Sequence, residues 1–280
     1  MAMLDEQAVK TLKPDALAPA AIEAKAEEIA VGKTKLSMGK TFVLALLAGA
    51  FIAFGALYFC VFLGDPSIPF AVQRIVGGLC FCLGLVLVLC CGAELFTGNM
   101  LMTTALLSKK ITAGALLKNW GIVWVGNFVG ALIVVFLVFM AHTASMNGGQ
   151  VGTAMINVAL SKVTPDWITL FFKGILCNIL VCLAVWIGFS ARTVVDKVVG
   201  ILLPISAFVA CGFEHCVANM FFLPMALVLK ITGFSTAVDA TALDMGSLFA
   251  NISAATLGNI VGAVVFVAAA YWFVYRKPAA

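Results

Sequence analysis

Glu214 and His215 lie side by side inside a long apolar stretch of the chain, in the segment CGFEHCVANM at residues 211–220. Ionisable side chains within a bilayer are costly and by default mark a functional site. Histidine is also the side chain whose proton moves most easily near neutral pH. His215 could therefore hold a small anion either as an imidazolium that also lends a proton or as a neutral hydrogen-bond donor. A purely structural histidine, bonded to backbone, is the third interpretation.

A second segment, CGAELFTGNM at residues 91–100, repeats the frame C-G-x-E-x-x-x-x-N-M. The two copies align Glu94 with Glu214, and Thr97 within the first copy adds a hydroxyl donor. The two glutamates could act as paired catalytic carboxylates. We favour a structural role, in which each glutamate accepts hydrogen bonds from backbone N–H groups that an irregular loop leaves unpaired.

The elements that carry these residues are predicted to be membrane-spanning helices. The chain has 280 residues, of which 63% are hydrophobic and 11% are charged, whereas a soluble domain is about half apolar and roughly a quarter charged. The composition therefore predicts an all-α integral membrane protein embedded in a lipid bilayer. Segments of about 20 apolar residues can cross a bilayer, and six are predicted, at 41–63, 71–108, 116–141, 166–190, 197–229 and 249–275.

The second and fifth predicted spans are too long for one straight helix, and each carries one copy of the repeated frame in its middle. We expect each to be broken, near 91–97 and 211–217, because irregular backbone is tolerated at membrane depth where it lines a cavity. Such breaks create helix N-termini near 96–98 and 216–218, whose free N–H groups and positive dipole ends suit an anion. The centre is thus rich in donors and favours a small anion over a cation.

The repeat extends beyond the broken spans, since GNFVGA at 126–131 matches GNIVGA at 258–263. Two units, at about 37–142 and 160–276, are predicted, and an odd number of spans in each gives them opposite orientations in the membrane. Inverted repeats with paired broken helices are typical of a transport fold.

Several further side chains have two interpretations. Polar groups on apolar spans are explained equally by inter-helix hydrogen bonding and by pore lining; they are Asn127, Asn178 and Asn259. Apolar residues just before the breaks are explained by core packing or by hydrophobic constrictions on either side of a polar centre; they are Phe81, Leu85 and Phe208.

The distribution of lysine and arginine in short loops predicts the orientation. One side holds Lys25, Lys33, Lys35, Lys40, Lys109, Lys110, Lys118, Arg192, Lys197, Arg276 and Lys277, and the other holds Arg74, Lys162, Lys173 and Lys230. The side with eleven of these cations, against four on the other, is predicted to be cytoplasmic, and both termini lie on that side. Within a predicted cytoplasmic segment at 1–36, residues 16–32 predict an amphipathic helix that is either a membrane-surface anchor or a plug over the pore.

The segments GAELFTGN and GFEHCVANM, together with the paired G-N-x-V-G-A motifs, resemble the formate/nitrite transporter family from about Lys33 to Arg276. The resemblance implies an aquaporin-like six-helix channel domain at 37–280, assembled as a homopentamer with a pore in each protomer. It also implies the bacterial inner membrane and no nucleic-acid partner. Small residues on the first and third spans permit the close packing that we associate with this assembly; they are Gly49, Gly55, Gly126 and Gly130.

The resemblance also implies roles for single residues. His215 corresponds to the family's central histidine and Thr97 to its loop threonine. The other implied positions are vestibule lysines (Lys33, Lys162), polar pore-side groups (Asn178, Asn259) and apolar rings (Phe81, Leu85, Leu95, Val181, Phe208).

The substrate that the resemblance favours is formate, because ILLPISAFVACGFEH looks most like formate channels. ELFTGN and LFFKGILCN look closer to nitrite channels, so nitrite is a close second, with hydrosulfide or lactate behind.

Two alternatives come from other classes of protein. A membrane-embedded enzyme could use Glu214 and His215, but the chain lacks an HExxH pattern, a nucleophile motif and a cofactor fingerprint. A purely structural or receptor protein does not explain a helix break in both halves. We therefore predict a transporter, with no catalytic residue, metal or cofactor.

Overall fold

The computed structural model describes residues 16–276, and every regular element in this range is a helix. Five of these helices are long and apolar enough to cross a membrane, and another apolar helix, Cys216–Ile231, is shorter. Large apolar side chains such as Phe136 and Phe172 are exposed along the helices, as expected of a surface that lipid covers. Residues 1–15 of the predicted N-terminal segment, and Lys277, lie outside the described residues.

The helices run in the following order. The first part contains α1 (Pro19–Thr34), α2 (Met38–Leu63), α3 (Phe70–Leu87, continued by a π-turn Val88–Gly92), α4 (Phe96–Asn99), α5 (Thr103–Leu107) and α6 (Ala113–Met140). The second part contains α7 (Gln150–Val163), α8 (Trp167–Ser190), α9 (Val194–Ala210), α10 (Cys216–Ile231), α11 (Met245–Ala263, continued by a π-helix Val264–Ala269) and α12 (Ala270–Tyr275).

The glycine of the repeated frame ends a helix in each half. Gly92 and Gly212 have φ of +83° and +71°, a left-handed conformation that strains residues with a Cβ atom. The next residue in each case donates its N–H five residues back, from Ala93 to the Val88 carbonyl (3.1 Å) and from Phe213 to the Phe208 carbonyl (3.0 Å). This is the Schellman pattern of helix termination, so the same local chemistry stops α3 and α9.

Close helix packing occurs inside the protomer, between α2 and α6 in one half and between α8 and α11 in the other. A methyl group at Gly49 would lie 2.0 Å from the carbonyl oxygen of Asn127, and one at Gly258 would lie 2.2 Å from that of Phe171. Gly55, Gly126 and Gly130 also face backbone or side chains of this same chain. Our use of these glycines as evidence for contacts between protomers was therefore wrong, because their space is already filled.

Helix α7 was not predicted from the sequence. It has 14 residues, too few to cross a bilayer, where about 20 are needed. It begins after Gly149, whose φ is +88°, and buries Met155, Ile156 and Ala159. Lys162 is also buried on this helix, near its end. An unpredicted helix therefore positions one of the predicted lysines.

Helix α1 packs on the rest of the protein. Its buried face includes Ala26 and also two carboxylates, Glu23 and Glu27. Glu27 accepts hydrogen bonds from Ser108 and Lys110 in the loop after α5. An unusual feature of this face is Glu23 Oε1, which is buried and has no hydrogen-bond partner within residues 16–276.

The packing of α1 is expected to weaken as pH rises. Burial, and next the neighbouring Glu27, raise the pKa of Glu23 from 4.5 to about 7. Glu23 would lose its proton near pH 4.5 when α1 is released, but only near pH 7 when α1 is packed. The stabilisation of the packed helix by protonated Glu23 is therefore complete below about pH 4.5 and is lost as pH rises towards 7. We expect trypsin to cut within α1 faster at pH 8 than at pH 5.5, relative to an unstructured reference peptide digested at the same pH to correct for trypsin's own pH dependence, and Glu23→Gln to remove this difference.

The matched control is Glu28→Gln, because Glu28 is exposed on the same helix and its replacement should leave the pH dependence intact. Equal cleavage of the unaltered protein at both pH values, relative to the reference peptide, would contradict the assignment to Glu23.

Candidate functional site

A fully buried asparagine on α11 holds the backbone around the break between α9 and α10. Asn259 accepts the N–H of Cys216 through Oδ1 at 3.0 Å. Its Nδ2 donates to the carbonyls of Gly174 and Glu214, each 2.8 Å away. Both ends of the amide are thus used by backbone groups, which satisfies polar groups that burial would otherwise leave unpaired.

Asn127 on α6 does the same for the break between α3 and α4. Its Oδ1 accepts the Phe96 N–H at 2.9 Å, and its Nδ2 donates to the carbonyls of Ala45 and Glu94, at 2.8 and 2.9 Å. In both halves, the asparagine of the repeated G-N-x-V-G-A motif therefore holds three backbone groups together through its side-chain amide. We call Asn127 and Asn259 the clasp asparagines and their sets of bonds the clasps.

Glu214 lies in the second break, 2% exposed, and is surrounded by side-chain donors. Asn219 and Asn251 donate to its Oε2 at 2.6 and 3.1 Å. Lys162 approaches both carboxylate oxygens at 3.4 Å. The lysine and the glutamate form a buried ion pair, which requires such additional hydrogen bonds to offset desolvation.

Glu94 lies in an equivalent network in the first break. Lys33 on α1 donates to Oε1 at 2.5 Å and Asn99 to Oε2 at 2.6 Å, and Asn99 also donates to Asn119 Oδ1 at 2.8 Å. Our expectation that the glutamates accept backbone N–H groups was wrong. The carboxylates accept side-chain donors instead, because asparagine side chains already bind the N–H groups that begin the following helices.

Sequence reasoning missed Asn119 and Asn251, which complete these two networks. Each lies eight residues before a clasp asparagine, Asn127 or Asn259, on the same helix. The spacing N-x₇-N places both amides within about 12 Å on one helix, and its presence in both halves was the available signal.

His215 and Thr97 form the one described hydrogen bond between the two copies of the repeated frame, at 2.9 Å between Nε2 and Oγ1. His215 Nδ1 accepts the N–H of Ala218 at 3.1 Å and so caps α10. A nitrogen that accepts a hydrogen bond carries no proton, so the neutral ring is protonated at Nε2 and donates to Thr97. The hydroxyl hydrogen of Thr97 has no acceptor among residues 16–276 and remains available.

The helix N-termini offer fewer free N–H groups than we expected. The N–H groups of Phe96, Cys216 and Ala218 are occupied by side-chain acceptors. The expectation of an anion site built mainly from backbone donors was therefore wrong for these three groups.

Three cavities lie in series through the protein. The Lys162 cavity, of about 350 Å³, is lined by Lys162, Glu214, His215, Arg74, Lys173, Phe81 and Phe208, among others. The central cavity, of about 10 Å³, is lined by Ile52, Phe81, Leu85, Leu95, Val181, Ile205, Phe208 and His215. The Lys33 cavity, of about 90 Å³, is lined by Lys33, Ile29, Leu85, Leu95 and Asn99, among others.

The shared lining residues define two narrow points. Phe81 and Phe208 separate the Lys162 cavity from the central one, and their rings meet edge to face with centroids 5.5 Å apart. Leu85 and Leu95 separate the central cavity from the Lys33 cavity. The structure thus brings all five predicted ring residues to the smallest of the three spaces, beside His215.

Three predicted pore-side residues, Thr97, Asn178 and Asn259, line none of these three cavities. Asn178 Nδ2 donates to the carbonyls of Thr97 (3.3 Å) and Asn259 (2.9 Å). Its Oδ1 is buried without a partner in the described part of the chain. Asn178 and Asn259 are therefore placed to support the backbone behind the site rather than its surface.

A model of the formate/nitrite transporter family matches residues 20–273. The chain belongs to this family. It is 40% identical to "Formate channel FocA" of Escherichia coli (strain K12), over 94% of this chain and 96% of that protein. It is 36% identical to "Formate channel FocA" of Haemophilus influenzae, over 89% and 92%. It is also 40% identical to "Uncharacterized transporter YrhG" of Bacillus subtilis, over 95% and 94%.

Solved structures agree with this family membership. One described as "Pentameric formate channel with formate bound" matches with a TM-score of 0.77 and 38% identity, over 86% of this chain and 98% of that one. One described as "FNT family ion channel" matches with a TM-score of 0.81 and 30% identity, over 92% and 99%. The predicted family is confirmed, and the protein is a multi-pass membrane transporter whose relatives are channels and transporters rather than enzymes.

Proposed function

We propose that this chain is a formate channel that conducts formate as an anion through a pore in each protomer. The observation that carries the proposal is the series of three cavities, with the His215–Thr97 hydrogen bond beside the narrowest one. The formate channels among its relatives, and the related structure described with formate bound, support the choice of substrate.

The proposed architecture has six spans per protomer. They are α2, α3 with α4 and α5, α6, α8, α9 with α10, and α11 with α12, and the second and fifth are the broken ones. The matching clasps around Asn127 and Asn259 support inverted repeats, and the pentameric relative supports a homopentamer. The distribution of lysine and arginine supports cytoplasmic termini in a bacterial inner membrane, with the Lys33 cavity on the cytoplasmic side.

The Lys162 cavity is proposed to concentrate anions. Three cations, Arg74, Lys162 and Lys173, line it together with one carboxylate, Glu214, so the local balance is positive. A charged cleft with low-dielectric walls raises the local concentration of oppositely charged ions.

His215, which lines the central cavity, and Thr97, which bonds to it from behind the cavity wall, are proposed to exchange their mutual hydrogen bond for bonds to formate and so to replace part of the hydration shell that formate loses. A buried ion without such partners is heavily penalised. An imidazolium would need a proton on Nδ1, and that nitrogen would then have to release the Ala218 N–H that it accepts at 3.1 Å. We therefore favour the neutral Nε2–H donor over a histidine that lends its proton.

Two alternative functions are less well supported. Nitrite has the same charge and would meet the same donors, so the geometry alone admits it, and the names of the relatives decide for formate. An enzyme that uses Glu214 as acid or base is disfavoured, because Asn219, Asn251 and Lys162 already surround its carboxylate.

The proposed function is tested by the flux of labelled formate, nitrite, hydrosulfide and lactate through purified protein in liposomes. We expect formate to move fastest and lactate slowest. Formate flux equal to that of protein-free liposomes would overturn the proposal.

Anion attraction in the Lys162 cavity is best tested at Lys173. Lys173 lines the cavity, and its ammonium group has no ion pair or hydrogen bond within residues 16–276. We expect Lys173→Gln to lower formate flux by about threefold at 0.01 M salt and to have little effect at 1 M, where screening acts over roughly 3 Å. Equal losses at both salt concentrations would contradict attraction by this charge.

Lys162 was our first choice for this role, and its ion pair makes it the matched comparison. Because Lys162 compensates the buried Glu214, Lys162→Ala is expected to reduce flux at every salt concentration.

A further inference from the structure

Arg74 holds the end of a helix from across the Lys162 cavity. Its Nε donates to the carbonyl of Ala210 at 2.7 Å and its Nη2 to that of Val209 at 2.9 Å. Both carbonyls lie in the last turn of α9, at the negative end of the helix dipole. The Val209 carbonyl also accepts the N–H of Gly212 at 3.0 Å. A guanidinium fork can bind two such acceptors at once, and an ammonium group cannot match that geometry.

The two helices that Arg74 joins are also the two that carry the narrow point of the pathway. Phe81 lies two turns after Arg74 on α3, and Phe208 directly precedes Val209 on α9. Between them the helices approach closely, since a methyl group at Gly78 would lie 2.7 Å from the carbonyl oxygen of Ser206. The contact between α3 and α9 therefore has Arg74 at one end and the Phe81–Phe208 ring pair at the other.

This feature has no counterpart in the other half of the protein. The alignment of Cys91 with Cys211 pairs Arg74 with Val194, which is exposed. The glycine, glutamate and asparagine contacts of the breaks are repeated in both halves, so Arg74 is an addition on one side only. A residue needed merely to terminate the helix would be expected on both sides.

We propose that Arg74 is a positioning residue that sets the size limit of the pore. Its two bonds fix the last turn of α9 against α3 and so keep the ring of Phe208 against that of Phe81. The inference rests on the proposed function, because it concerns which anions pass. Without these bonds, the end of α9 moves away from α3 and larger carboxylates pass between the two rings.

The test compares acetate and formate flux through the liposome-reconstituted full chain carrying Arg74→Gln or Arg74→Lys. Arg74→Gln is expected to raise the acetate-to-formate flux ratio by about tenfold, the effect of losing one or two charge-assisted hydrogen bonds. Arg74→Lys should keep the salt-dependent attraction of anions that Arg74→Gln loses, because lysine carries the same charge. It should still raise the acetate-to-formate ratio, because an ammonium group cannot bind both carbonyls as the guanidinium does.

Lys173→Gln is the matched control, since it removes a cation from the same cavity without removing a helix contact, and the ratio should not change. An unchanged ratio in both Arg74 variants would overturn the proposal and reduce Arg74 to a source of charge. Failure of both variants to assemble would also overturn it, by making Arg74 a folding residue. Absence of formate flux in the unaltered protein would instead refute the proposed function itself.

Discussion

His215→Phe is expected to lower formate flux by roughly 10- to 100-fold, the range that corresponds to losing one hydrogen bond to a charged group. Phenylalanine keeps the bulk that fills the space beside Phe208, whose ring stacks on His215 with centroids 5.8 Å apart. It removes both ring nitrogens and thus the Nε2–H donor. It also removes the cap on α10, a loss of about 1 kcal/mol that assembly should survive.

The measurement is the uptake of labelled formate, with assembly checked by size-exclusion chromatography. Thr97→Val should give a loss of similar size, because it removes both the acceptor of the His215 Nε2–H and the hydroxyl hydrogen that Thr97 could donate to the ion. His142→Asn is the control: His142 is exposed and lies at a left-handed position, φ +53°, that asparagine tolerates. Normal flux in His215→Phe would make His215 a packing residue and the site assignment wrong.

Glu214→Ala is expected to prevent stable assembly, since it leaves Lys162, Asn219 and Asn251 without their shared acceptor. Breaking a buried ion pair by removing one partner destabilises a protein by about 3–5 kcal/mol. Glu214→Gln keeps one acceptor oxygen and should lose less, about 1–3 kcal/mol.

The thermal midpoint and the recovered oligomer in detergent measure both variants. Glu28→Ala, at an exposed carboxylate, should change neither quantity. A Glu214→Ala protein as stable as the unaltered one would show that the network is not required for the fold.

The main features of the fold could be predicted because they depend on local chemistry. Gly92 and Gly212 end their helices by a conformation that glycine favours, and a sequence repeat marks both positions. The clustering of the five apolar ring residues followed from the family resemblance. The family itself could be recognised from two short motifs.

The rest could not be predicted because it depends on distant contacts. Asn219 lies in the same repeated frame as Glu214, but the other two donors, Lys162 on α7 and Asn251 on α11, are distant in the sequence. Helix α7 is too short to look like a span. Arg74 donates to residues on another helix, more than a hundred positions along the chain. From the sequence alone, it could only be assigned as a cation at the end of a span.

The central claim is that formate crosses as an anion, held by the neutral donors His215 and Thr97. Its most direct test is the number of charges that move with each formate ion, measured as current and labelled flux together in reconstituted bilayers. We predict one negative charge per formate, and a ratio that stays constant between pH 5.5 and 8. Formate flux that carries no net charge would show that each ion takes a proton with it, and would contradict the neutral-donor mechanism.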